Sequence, residues 1–176
     1  HLRSHAGEVC FPGGRQEEQD QGDDIRTAVR ETHEEVGIGE DIIQPICRME
    51  TIESVGGLCV TPIVALLKET IDPLQLKLCP DEVDAAFSVP ISYFWNENNC
   101  DSKQELEWKG DIFVMRYYYY KDPARSEKER TFKIWGLTAH VVHEVAKLCR
   151  PDDDAIVAEA KNSSTTTPLL ETFQGP

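Results

Sequence analysis

A run of fifteen residues, Asp23 to Gly37, constrains this chain more than any other segment. Asp23 or Asp24 can cap a helix, and Gly37 can end one. Between them Ile25, Ala28, Val29, Thr32 and Val36 recur at helical spacing. At about 100° per residue these five share one arc of roughly 100°, which is predicted to pack inward. Glu31, Glu34 and Glu35 fall on an adjoining arc of similar width. Carboxylates at i, i+3 and i+4 repel one another and disfavour a helix by a few tenths of a kcal/mol per pair. No Lys stands among them, and only Arg30 is close in sequence. Such a face is either simply solvated or neutralised by a divalent cation. Hard carboxylate oxygens favour Mg²⁺ or Mn²⁺ over zinc.

The helix belongs to a wider acidic stretch. The 176 residues hold 18 Lys and Arg against 32 Asp and Glu, a net charge of −14. Half of that excess lies between Glu8 and Glu40, where ten acids face three bases. A pI near 4.7 argues against a general nucleic-acid binder, because phosphate backbones need a basic surface. Apolar residues at 40% and charged residues at 28% describe a globular domain, and the length suits one of them. The longest apolar stretch, about Val64 to Leu67, is far short of a membrane span of ~20 residues. The six cysteines form no C-x-x-C pair and have no His at zinc-ligand spacing. Their scatter predicts single buried thiols in a reducing compartment. Asn162-Ser163-Ser164 matches a glycosylation sequon, read here as a chance match.

Along the chain, residues 7 to 22 read as a loop with Pro12, Gly13, Gly14 and Gly22. After the helix, strand-like runs cover Ile46 to Ser54, Leu58 to Leu67, Phe87 to Phe94, Phe113 to Tyr120 and Thr131 to Trp135, with Gly56-Gly57 as a turn. Tyr117 to Tyr120 offer base-stacking rings, but a strand period more often divides such a run between core and surface. Leu137 to Cys149 predicts a second helix. From Asp152 the composition turns polar, so residues 1–150 are expected to form the domain and 151–176 a disordered tail.

The segment Pro12-Gly13-Gly14, then Arg30-Glu31-Thr32-His33-Glu34-Glu35-Val36-Gly37-Ile38, resembles the Nudix box, G-x5-E-x7-R-E-U-x-E-E-x-G-U. Upstream, Arg3-Ser4-His5-Ala6-Gly7-Glu8-Val9-Cys10-Phe11-Pro12-Gly13-Gly14 resembles the second half of L-L-T-x-R-[S/A]-x3-R-x3-G-x3-F-P-G-G, the motif of coenzyme A diphosphatases among Nudix hydrolases. Glu82-Val83 through Phe87, Val89-Pro90, Phe94 and Ile134-Trp135-Gly136-Leu137-Thr138-Ala139 are similar too. The likeness covers about residues 2 to 150 and is nearest to peroxisomal and mitochondrial eukaryotic members. Two departures stand out. The loop from Gly14 to Arg30 is two residues longer than the general box, and counting back eight from Arg30 lands on Gly22 instead of Glu. The longer loop holds Asp20 to Asp24, as in coenzyme A diphosphatases, and leaves the loop glutamate unassigned. The chain also opens inside the upstream motif, so it is expected to be a fragment lacking N-terminal strands.

The resemblance implies an α/β (α+β) fold, a mixed sheet sandwiched between helices. It implies hydrolysis of coenzyme A or its derivatives to 3′,5′-ADP and 4′-phosphopantetheine, or the acyl form, with Mg²⁺ or Mn²⁺. The alternatives are another nucleoside diphosphate derivative, such as ADP-ribose or NADH, and a non-catalytic metal-binding module. By the family pattern Glu31, Glu34 and Glu35 hold the metals, with Glu35 most central, and Arg30 holds a box carboxylate in register. Gly13 and Gly14 allow close backbone approach, and Gly37 closes the box helix. Glu82 is the candidate base, with a plain surface acid as the alternative. Arg3 suits a substrate phosphate, since a guanidinium binds it bidentately. His5 reads as solvated, and His33, His140 and His143 as residues outside the ligand set. The partner is a small molecule, with no nucleic acid and no membrane span. The placement implied is intracellular, mitochondrial or peroxisomal, although Gln174-Gly175-Pro176 is not a Ser-Lys-Leu address.

Overall fold

The computed structural model describes residues 7–54, 57–108, 110–123 and 130–151. The first element is the expected helix, α1 (Asp24–Val36). Asp23 caps it by accepting the Ile25 N–H at 2.9 Å. Gly37 closes it in the left-handed region at φ 70°, its N–H donating to His33 O. The second helix, α2 (Gly136–Leu148), stands within a residue of its expected range.

Four strands follow α1. β1 (Ile43–Arg48) pairs antiparallel with β4 (Ile63–Leu67), from Ile43 opposite Leu67 to Arg48 opposite Ile63. A bulge between Pro45 and Cys47 accommodates the proline, which has no N–H for the ladder. β2 (Ile52–Glu53) and β3 (Cys59–Val60) form a second short pair. The runs expected at Ile46 to Ser54 and Leu58 to Leu67 are therefore each broken in two, the second at Thr61-Pro62. The Met49 N–H still reaches Pro62 O at 2.9 Å, so the broken strands stay in register. Gly57 closes a turn onto Ser54 O at 2.8 Å.

The third sheet is built from β5 (Cys100–Trp108), β6 (Asp111–Lys121) and β7 (Thr131–Ile134), in the order β5-β6-β7 and antiparallel throughout. The α+β class expected from the sequence holds. In place of one mixed sheet, the described residues form three small antiparallel sheets. β5 was not expected, because Asp101, Ser102, Lys103, Gln104, Glu105 and Glu107 have low intrinsic strand preference. Its ladder to the aromatic β6 creates it. Conversely, the strand expected at Phe87 to Phe94 is absent. Pro90 cannot donate, and the chain turns instead into a 3₁₀ segment, Ile91–Trp95, with Tyr93 N–H on Pro90 O at 2.9 Å.

The core lies between the β5-β6-β7 sheet, α2 and that 3₁₀ turn. Phe94, Tyr118, Tyr120, Ile134, Ala139 and Ala146 form its buried centre. Phe94 meets Tyr118 edge to face at 5.0 Å, Phe87 stacks on Phe132 at 3.8 Å, and Trp95 Nε1 donates to Ala146 O at 2.9 Å. The tyrosine run divides as a strand period requires: Tyr118 and Tyr120 point inward, and Tyr119 is exposed. The cysteines need correction. All six are free, but four are exposed and two half-buried, because the core's buried positions are filled by aromatics and small α2 residues instead of thiols. No described helix is long and apolar enough to cross a membrane. The expected tail, apart from Pro151, lies outside the described residues.

Candidate active site

The site is assembled on α1. Of the five residues predicted to pack inward, Val36 is buried and the other four are half-buried. Unexpectedly, Thr27, on the same side of the helix as the acids, is buried as well. The cause is the loop before α1, which folds back over that side and places Asp20 there, 2% exposed. A charge so buried must be fully paired. Asp20 Oδ1 accepts from Arg30 Nε at 3.0 Å, and Oδ2 from Arg30 Nη2 at 3.0 Å, a bidentate fork. The Glu17 N–H at 2.8 Å and the Thr27 hydroxyl at 3.0 Å complete its shell. The guanidinium and these hydrogen bonds hold the Asp20 carboxyl far below the usual carboxylate range.

Arg30 carries this anchor to the box carboxylates. Its Nη1 lies 2.8 Å from Glu34 Oε2 and 3.0 Å from Glu31 Oε1, and its Nη2 donates to Arg15 O at 3.1 Å. The expected pairing of Arg30 with a box carboxylate is therefore in place. The loop acid that pairs with Arg30 is Asp20, ten positions before it, where the general box has a glutamate eight positions before its arginine. The signal was present in the two extra loop residues and the Asp-containing loop they create. Choosing among its acids needed the tertiary fold.

Glu35 sits apart from Arg30 in a different environment. It is half-buried and accepts a hydrogen bond from the Gly13 backbone, which lowers its pKa. Burial, then Glu31, Glu82 and Glu34, outweigh that bond and push its carboxyl up to about 7. Glu82 is thus brought to the acidic helix. The segment holding it is tied there: Cys79 N–H donates to Glu35 O at 2.8 Å, and the Glu82 and Val83 N–H groups fold back on Cys79 O at 3.1 and 2.8 Å. Cys10 is close too; its thiol is pushed up first by local desolvation, then by Glu35 and Glu8.

Gly14 shows how tightly the loop presses on the helix. A Cβ there would lie 2.5 Å from Glu31 Cδ and 2.9 Å from its Oε2, so only glycine leaves that carboxylate its position. Gly13 has open space around its own Cβ direction, and its backbone N–H is the part in use. Gly37 needs glycine twice over, for its positive φ and for Lys77 O, 2.9 Å from where a Cβ would stand.

Of the remaining sequence candidates, Arg3 and His5 lie outside the described residues. His33 Nδ1 is 3.2 Å from Ile38 O at the end of α1. His143 is buried, with Nδ1 3.4 Å from Tyr118 Oη. Neither faces the carboxylates. Among the described residues no three Asp, Glu, His or Cys side chains converge into a ready metal cage. The donor set nevertheless fits a hard divalent cation: oxygen ligands only, and a mutual repulsion at Glu35 that Arg30, committed to Asp20, Glu31 and Glu34, does not relieve.

No family model matches the chain. Individual relatives do. It is 36% identical over 146 residues to the uncharacterized Nudix hydrolase NudL of Photorhabdus laumondii, covering 83% of this chain and 71% of that protein. It is 34% identical over 149 residues to the mitochondrial Nudix hydrolase 15 of Arabidopsis thaliana, covering 84% of this chain and 49% of the relative. To the peroxisomal coenzyme A diphosphatase of Mus musculus it is 34% identical over 145 residues, covering 82% and 58%. With the box carboxylates, their arginine and the glycine loop in place, the chain belongs to the Nudix hydrolase family. It spans about half the length of the two Arabidopsis relatives it matches.

Proposed function

We propose that the protein hydrolyses the pyrophosphate bridge of a nucleoside diphosphate derivative, and that its substrate is coenzyme A or an acyl-CoA. The observation that carries the hydrolase reading is the build of the box itself: Arg30, anchored on buried Asp20, holds Glu31 and Glu34, while the Gly13-Gly14 loop presses on the same helix at Glu35 and Glu31. The substrate rests on the upstream motif from Arg3 to Gly14 and on the murine relative's name. Products would be 3′,5′-ADP and 4′-phosphopantetheine or its acyl form.

Water attacks one phosphorus, the bridging P–O bond breaks, and a phosphomonoester leaves. Glu82 is proposed to accept the proton of the attacking water, being the carboxylate near Glu35 that the box helix does not itself supply. Glu31, Glu34 and Glu35 are proposed to hold Mg²⁺ or Mn²⁺, which when bound neutralises phosphate charge and acidifies water. Arg30 keeps Glu31 and Glu34 in register from its buried anchor on Asp20. The Gly13 N–H orients Glu35. Arg3 is proposed to contact a substrate phosphate. A mitochondrial or peroxisomal placement is suggested by the names of two relatives. Product analysis with coenzyme A, ADP-ribose and NADH, with Mg²⁺ or Mn²⁺ present, tests this. Release of 3′,5′-ADP from coenzyme A is expected. Cleavage of ADP-ribose with coenzyme A untouched would reject the substrate.

A further inference from the structure

The face of the β5-β6-β7 sheet turned away from α2 has a composition unlike the rest of the chain. Cross-strand pairing puts Tyr117 and Tyr119 of β6 and Lys133 of β7 on it, and Trp135 follows at the end of β7. Tyr117 and Trp135 lie nearly parallel, 9° apart, with ring centroids at 6.1 Å. Lys133 Nζ stands over both, 5.2 Å from the Tyr117 centroid and 4.6 Å from that of Trp135. Tyr119 is 46% exposed beside them. By strand alternation, this side carries no acid from Phe113 to Lys121 or from Thr131 to Lys133. In a chain of net charge −14, an area whose nearest acid by alternation is Asp111, at the far end of β6, repels an anion less than its surroundings do.

The patch is also connected to the acidic site. Trp135 leads into α2, and the Thr138 hydroxyl in its first turn donates to Val9 O at 3.0 Å. Val9 stands four positions before Gly13, whose N–H meets Glu35, a chain reach of at most roughly 14 Å. We propose that Tyr117, Trp135 and Lys133 form a nucleotide-binding platform, the exposed Lys133 ammonium leaving the ring faces to meet a phosphate as the base stacks on them. The proposal deepens the hydrolase reading and rests on it only for the claim that the bound nucleotide is part of a substrate. A π-face on every base makes the stacking tolerant of base identity, while Lys133 demands an anionic ligand.

The test uses the full chain without metal, titrated with ADP and, separately, with inorganic pyrophosphate, which has no base. Tyr117→Leu keeps an apolar strand residue and removes the ring. Lys133→Gln alters an exposed position and keeps the fold. For ADP, Tyr117→Leu is expected to weaken binding by roughly ten-fold, the range for loss of one base–aromatic stack. Lys133→Gln is expected to weaken it less and to remove much of its salt dependence. Pyrophosphate binding should be the same in wild type and Tyr117→Leu. ADP affinity unchanged in both variants, or a wild type that binds no ADP, would overturn the proposal. Equal losses for ADP and pyrophosphate would also overturn it, since no stacking is then involved. A chain that binds ADP through these residues yet cleaves no nucleoside diphosphate derivative would leave the platform standing and reject the hydrolase reading.

Discussion

Replacing Gly14 with alanine adds a single methyl group, and the structure shows where it lands. The backbone of Gly14 lies outside the left-handed region, so alanine fits it without strain. The added carbon would stand 2.5 Å from Glu31 Cδ, whereas unstrained carbon atoms settle at about 3.5 Å. Because the obstructing atoms end a flexible side chain, the Glu31 carboxylate should yield by about 1 Å and the backbone should stay. That motion also loosens the 3.0 Å contact to Arg30 Nη1. For stability the effects nearly cancel. Alanine reduces the freedom of the unfolded chain, worth about 0.4–1 kcal/mol, and Arg30 keeps its bonds to Asp20 and Glu34 when Glu31 moves, so little of its pairing is lost. For chemistry they do not cancel, since a misplacement of about 1 Å in a catalytic group costs roughly 100-fold. The assay is kcat/KM for coenzyme A with Mn²⁺ beside a thermal melt of wild type and variant. A variant within about three-fold of wild type would refute the reasoning, since the carboxylate's position would then be irrelevant. So would a collapsed melting transition, which would place the strain in the backbone.

Glu35→Gln should remove activity by at least about 100-fold while the protein stays folded, because it deletes charge without volume; unchanged turnover would reject Glu35 as a site residue. The same residue sets a pH dependence in metal-free protein. Its folded value of about 7 lies above the ordinary 4.5, so the folded chain keeps a proton that the unfolded chain loses. This stabilising contribution is complete below about pH 4.5 and is lost as pH rises through 7. Urea midpoints should therefore fall from pH 5.5 to 8.5 in wild type and fall less in Glu35→Gln; identical falls would contradict the burial argument. Asp20→Asn should lower the melting temperature and the activity together, because the Arg30 guanidinium loses its buried counter-charge and with it the register of Glu31 and Glu34. An unchanged melt would show that Asp20 is not the anchor.

The legible parts of the chain were those set by local geometry. The limits of α1 followed from Asp23 and Gly37, whose caps depend on neighbours within four residues. The shared side of Glu31, Glu34 and Glu35 followed from the helical turn alone. The inward and outward division of Tyr118 to Tyr120 followed from the strand period. Local pattern failed where pairing decides. The polar run Cys100 to Trp108 is a strand only because Phe113 to Tyr118 lies beside it, and Phe87 to Phe94 is none because Pro90 breaks the ladder.

For the site, the sequence by itself determined which acids stand together on one helix and which arginine accompanies them, because turns of about 100° need no long-range contact. The tertiary structure alone decided three other matters. It chose Asp20 among the loop acids, by burying it against Thr27 and Arg30. It brought Glu82 to Glu35 through the bond from Cys79, forty-four positions from Glu35 in the chain. It pressed Gly14 onto Glu31. Each of these is a contact between segments distant in sequence, set by how loops pack on a helix and beyond the reach of any periodicity along it.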